Sequence, residues 1–366
     1  MRENSINLEI QKVVNLYKNQ NFKEALLEAH LTKSKYQQLE NSNFYLNLVG
    51  LINLALKDWE NSIFFFDKAI QSDPKILDPY FNLGIAYYDM GELMKSLDFF
   101  LKVYKSSNDK KSKFAIIKLL SHINPINQLS NNLIDINDKI QKIDSKINLK
   151  EKIKDEFISD IIDKCKSKAQ KIDNFEFNED QVFRRNEIDL NCERHKRIFF
   201  KYNTIPKFCF SCIKIVIYLE NPFDLIKLVL FFDQFKNLSF FNRKCMIDKR
   251  QESFKGYIYF DSIETAKKLS KEITPIIEVL LGKKFKQEIK RGCSEFAIKY
   301  PNYKDINYKM KYPKEWSNNE EKSDMDNFKD GIPITRNMHK SLSGLTLSDF
   351  LIFNKWLNLM KPERTK

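Results

Sequence analysis

Glycine is scarce in this chain, 8 residues in 366, and the shortage limits its chemistry. No Gly-rich phosphate loop, dinucleotide fingerprint or GxSxG nucleophile elbow is present. HExxH and HxxE patterns are missing too, and the 4 histidines, His30, His122, His195 and His339, are too scattered for a three-histidine metal triad. His30 and His122 fall on predicted helices as ordinary polar or core residues. The longest apolar run, LIKLVLFF at 225–232, is far shorter than the ~20 residues that span a bilayer. The N-terminal MRENSINLEIQK lacks the apolar core of a signal peptide. These absences predict a cytoplasmic protein without membrane insertion. They favour a non-enzymatic binding role and leave open an enzyme built on scattered Asp, Arg and Tyr.

Charge is unevenly placed. Residues 1–110 carry 13 Lys and Arg against 14 Asp and Glu, whereas 190–312 carry 25 against 13, so nearly all of the net +13 sits in one stretch. Such a stretch is a footprint for an anionic partner or a Lys-rich solvated surface.

Self-similarity appears at a period of 34 residues. Tyr80, Leu83, Gly84, Tyr87, Gly91, Ser96, Phe100 and Val103 take the small and large positions of a helix-turn-helix. Stepping back one period gives Leu46, Val49, Gly50, Asn53, Lys57, Ser62, Phe66 and Ala69, closed by Pro74. A weaker first copy, NLYKNQNFKEALLEAH at 15–30, has about three extra residues before the next. These copies resemble tetratricopeptide (TPR) repeats. In such an array Gly50 and Gly84 let paired helices approach, Phe66 and Phe100 fill the gap, and SKFAIIKLLSHI from Ser112 caps the stack. The resemblance implies a peptide or helix bound on the concave side, by Asn47, Leu51 and Leu54 of one copy and Phe81, Ile85 and Tyr88 of the next. These are mostly apolar and lack the Lys and Asn clamp that holds a terminal carboxylate, so an apolar helix is the expected partner. The alternative occupant is a later helix of the same chain.

From 127 to 171 the chain is polar and Gly-free, with apolar residues at 129, 133, 136, 140, 143 and 147 in steps of three and four. The spacing predicts a long helix, followed by a second stripe over 157–165 that packs Cys165.

Five of the 6 cysteines lie between Cys192 and Cys293, where an intracellular chain favours thiols or metal ligands over disulfides. Cys192 and His195, then Cys209 and Cys212, have the spacing of a tetrahedral zinc set, which predicts a structural Cys3His site. Beyond this knuckle, 213–219, 223–235, 243–250, 256–262, 262–282 and 284–292 read as strand, helix, strand, strand, helix, strand. That pattern fits a ferredoxin-like sheet of order 4-1-3-2 with both helices on one face. The topology brings Cys212, Cys245 and Cys293 to one end of the sheet. Cys293 thereby becomes an alternative ligand, and an iron-sulfur cluster on Cys192, Cys209, Cys212 and Cys293 a rival to zinc; Cys245 reads better as core.

KGYIYFDS at 255–262 resembles the RNP1 segment of an RNA recognition motif in Lys255, Gly256, Tyr257 and Tyr259. It departs at Ile258 and Ser262, and strand one offers Ile215 and Ile217 without a stacking ring. The expected architecture is therefore an α+β multidomain protein. A TPR-like array over 1–122 is followed by a helical connector over 123–175 and a Cys/His knuckle over 176–212. A ferredoxin-like α/β domain over 213–312 precedes a polar, mobile loop and a C-terminal docking helix, capped by Thr346 or Ser348, over 313–366. The leading expectation is a protein-interaction scaffold, and the others are an RNA-binding adaptor and an iron-sulfur enzyme.

Overall fold

In a computed structural model the chain is described over residues 2–125, 131–172, 175–186, 190–248, 253–334 and 339–359. Helices α1 (Arg2–Lys18), α2 (Phe22–Lys35), α3 (Asn43–Ala55), α4 (Trp59–Ser72), α5 (Asp78–Met90), α6 (Leu93–Ser107) and α7 (Lys110–Leu119) come first. Then come α8 (Asn132–Gln141), α9 (Asp155–Ala169), β1 (Gln181–Arg184), α10 (Cys192–Tyr202), β2 (Ile213–Leu219) and α11 (Pro222–Gln234). The remainder is β3 (Arg243–Asp248), β4 (Ser253–Phe260), α12 (Ile263–Leu281), β5 (Lys286–Arg291), α13 (Lys314–Asn327) and α14 (Leu347–Asn358). They form two compact units. One comprises residues 1–116, 189–206 and 312–337, and the other 117–188, 207–311 and 338–366.

The first unit is an array of helix pairs. Ser42 and Asp58 cap α3 and α4 by accepting from backbone N–H groups of Tyr45 and Asn61, and Gly91, at φ 96°, ends α5 in the left-handed region. A Cβ on Gly50 would lie 2.5 Å from Cε1 of Phe66, and one on Gly84 would lie 2.5 Å from Cε1 of Phe100. The same close contact thus recurs one period apart, as the 34-residue repeat requires. Successive pairs are tied by Asn82 Nδ2 donating to Asn47 Oδ1 at 2.8 Å and by the Tyr45 hydroxyl donating to the Ala29 carbonyl at 2.7 Å. The extra residues after the first copy form a 3-10 turn, Gln37–Asn41, that buries Leu39.

Later sequence joins this unit. Helix α13 packs on α10 and α2, and Arg194 forks onto Asp324 (2.6 and 2.7 Å) and Glu320 (2.9 Å). Most of the SNNEEKSDMDNF stretch, expected as a loop, is helical, and its buried Asp324 is held by Arg194 of α10.

In the second unit the sheet has order β1-β3-β4-β2-β5, antiparallel throughout. Its last four strands have the expected 4-1-3-2 order. A fifth, β1, comes from the stretch assigned to the Cys/His knuckle, ahead of its first cysteine, and pairs with β3. Helix α11 approaches β4 so closely that a Cβ on Gly256 would overlap Leu228 Cδ2. It is buried along most of its length because α9, α12 and α14 pack against it as well as the strands. The long helix expected over 127–171 is instead α8 and α9, separated by thirteen non-helical residues; 126–130 and 173–174 lie outside the described residues.

Helix α14, capped by Thr346 as expected, docks on α8, α9, α11 and β1 of its own unit. Its Asp349 meets Arg184, which also pairs with Asp233 of α11 at 2.5 Å, all three side chains being 3–6% exposed. Burial opposes the Arg184 charge, but the two carboxylates outweigh it and hold the guanidinium charged. No helix among the described residues is long and apolar enough to cross a membrane.

Candidate binding faces

The ligand-spaced residues are divided between the units. Cys192 opens α10, and His195, one turn on, is 4% exposed beside Ile198 and Phe199 on the buried face of that helix. Burial, and secondarily the Arg194 cation, lower its pKa to about 4. Cys209 and Cys212 belong to the other unit, Cys209 in a 3-10 turn and Cys212 just before β2. Gly292 N–H donates to the Cys212 carbonyl at 2.8 Å and the Tyr303 hydroxyl to that of Cys209 at 3.0 Å. Burial first, and then the neighbouring Cys209, Cys293 and Cys212, raise the Tyr303 pKa, whereas the set expected at one end of the sheet had Cys245 in place of Cys209. Cys245 is fully buried on the helix-covered face, its thiol pushed well up by burial, and serves as core. Among the described residues no three His, Cys, Asp or Glu are grouped to hold a metal ion. The zinc and iron-sulfur expectations therefore have spacing behind them but no three-ligand group.

The array residues fall on α3 and α5. Asn47, Leu51, Phe81, Ile85 and Tyr88 are half-buried, whereas Leu54, 9% exposed, belongs to the core with Phe66, Leu83 and Ala86. Leu51 and Ile85 border that core, and the Phe81 ring lies 5.2 Å from Phe100. Periodicity alone could not separate Leu54 from its neighbours, because groove and core positions adjoin on one helix.

Strand parity assigns the third group. Ile217 and Gly256 are paired on the face that α11 covers, so Ile215 and Ile217 point to the helices and Lys214, Val216 and Tyr218 to the opposite face. Tyr218 is the ring that strand one was expected to lack. Alternation could have found it, since it falls out of phase with the isoleucines. Pairing generates three rows across this face. One contains Met246, Lys255, Tyr218 and Lys286; the next Phe183, Lys244, Tyr257, Val216 and Glu288; the last Tyr259, Lys214 and Lys290.

The Tyr257 and Tyr259 rings lie 6.4 Å apart and 20° from parallel. Lys244 and Lys214 ammonium groups sit 5.0 and 5.4 Å from the Tyr257 centroid. Lys286, Lys255 and Lys290 surround Tyr218 at 5.2 to 5.6 Å. Burial raises the Tyr257 pKa to about 12. Hydrogen bonds from Lys290 first, then Lys286 and Tyr218, lower Glu288 to about 2.

No family model and no curated protein matches the chain. Among solved structures, the Arabidopsis OM64 TPR domain aligns with 32% of this chain and 96% of its own length, at 18% identity and a TM-score of 0.30.

Proposed function

We propose that the chain is a non-enzymatic interaction protein whose repeat array binds an amphipathic helix of a protein partner. The observation behind this reading is the pairing of groove positions one period apart, Asn47 with Phe81 and Leu51 with Ile85, on helices whose close contacts repeat with them. Apolar, half-buried positions on successive helices make a row that suits the i, i+4, i+7 anchors of a partner helix. The sheet unit, which carries the positive charge, is a second module on the same chain.

Selection of helical peptides from a displayed library against the full-length protein tests the reading. Selected peptides should carry apolar residues at i, i+4 spacing and lose at least tenfold in affinity against Ile85→Ser and Phe81→Ser, with far-UV circular dichroism unchanged. Peptides that bind both variants as well as the parent would refute it.

A further inference from the structure

The sheet face opposite α11 and α12 carries a feature the array does not explain. Three tyrosines on two adjacent strands, Tyr218 of β2 and Tyr257 and Tyr259 of β4, are half-buried on a single face. Five lysines share that face, against Glu288 and Asp248. A core-forming face would exclude that many ammonium groups, and a merely solvated one has no use for near-parallel rings. We propose that this face binds single-stranded nucleic acid, bases stacking on the tyrosines while the exposed Lys286 and Lys290 contact phosphates; Lys255, bonded to Asp248, and Lys214, bonded to the Gly292 carbonyl, hold the face together.

The chemistry fits a polyanion with flat rings and few other ligands. A duplex keeps its bases stacked on one another and would meet only the lysines, so a requirement for unpaired bases is built into the arrangement. Lys286 and Lys290 are exposed, at the β5 edge, where a backbone can enter. Tyr218 holds its place through its hydroxyl, which donates to Glu288 at 2.8 Å and lies 2.9 Å from the Lys290 ammonium. The ring itself is the base platform. This inference is independent of the array, and either can fail alone.

The test is fluorescence anisotropy of the full-length protein with a labelled uridine dodecamer, the thymidine deoxy-dodecamer and a duplex of equal length. Both single strands should outbind the duplex, and preference between them tells RNA from DNA. Tyr218→Leu with Tyr257→Leu should weaken binding about tenfold or more, and Tyr218→Phe, which keeps the ring, should not. Replacing Lys286 and Lys290 by Gln, at exposed positions that leave the fold intact, should cut the slope of log affinity against log salt by about 1.4. Absence of dodecamer binding at about 50 mM salt, or equal binding of duplex and single strand with the tyrosine variants unaffected, would overturn the proposal.

Discussion

The helical array uses one contact twice, Phe66 against Gly50 and Phe100 against Gly84, each between helices adjacent in sequence. The sheet unit has one contact of a different kind: Arg184, Asp233 and Asp349 meet from positions 49 and 165 residues apart. Local repetition lets the array lose one contact and keep its neighbours. A buried three-way ion pair gives the sheet unit no such tolerance.

The largest effect should come from breaking that ion pair. Asp349→Ala leaves Arg184 paired with Asp233 alone, strips two buried charge-assisted hydrogen bonds from the guanidinium and breaks the Thr346–Asp349 capping box of α14, which together should cost about 3–5 kcal/mol. Urea unfolding followed by tryptophan fluorescence and circular dichroism should then show the sheet unit melting first, with the array transition in place. A single unshifted transition would contradict the contrast.

Acid provides the next. Burial holds His195 of the array at about 4, below its ordinary 6.5, and does the same to His122 in the sheet unit. Between pH 6.5 and 4 the unfolded chain binds the proton that the folded chain refuses. Stability is therefore complete above 6.5 and falls as pH drops to 4, by about 3 kcal/mol for His195. Glu320 opposes the shift and Arg194 reinforces it. His195→Gln should flatten the pH dependence of the array transition alone, which stability curves at pH 7, 6, 5 and 4 would read.

The smallest effect is Gly84→Ala. The added methyl would meet the Phe100 ring at 2.5 Å, for a net cost of about 1–3 kcal/mol. Gly50→Ala should cost about the same, and the double variant about the sum. Unchanged urea midpoints would show that the rings yield freely.

Legibility followed the same division. The 34-residue spacing, with the TPR resemblance it carries, located the Gly50 and Gly84 contacts, because a repeat states its geometry more than once. Alternation located four strands to within three residues at either end, and matching the strand–helix pattern to a ferredoxin-like sheet gave their order. The misses share a cause in partners remote along the chain. β1 went unread because its Arg184 is a core residue only through Asp233 and Asp349. α13 went unread because Asp324 is buried only through Arg194. Tyr218 was missed when the isoleucine row was taken for the whole of strand one. The Cys and His spacing joined residues that fold apart: Cys209 and Cys212 neighbour Tyr303, while His195 turned into the core of α10.

The Arg184 pair also sets a schedule. A ribosome adding about 5–20 residues per second delivers Asp349 roughly 8 to 33 seconds after Arg184. Over that interval the nascent sheet carries an arginine lacking one of its two counterions and an α11 without the cover of α14. The array's first three helix pairs, by contrast, have all their residues by Ser107. Synthesis therefore leaves the apolar α11 uncovered until the final helix emerges, and over that interval the nascent sheet unit needs protection from aggregation.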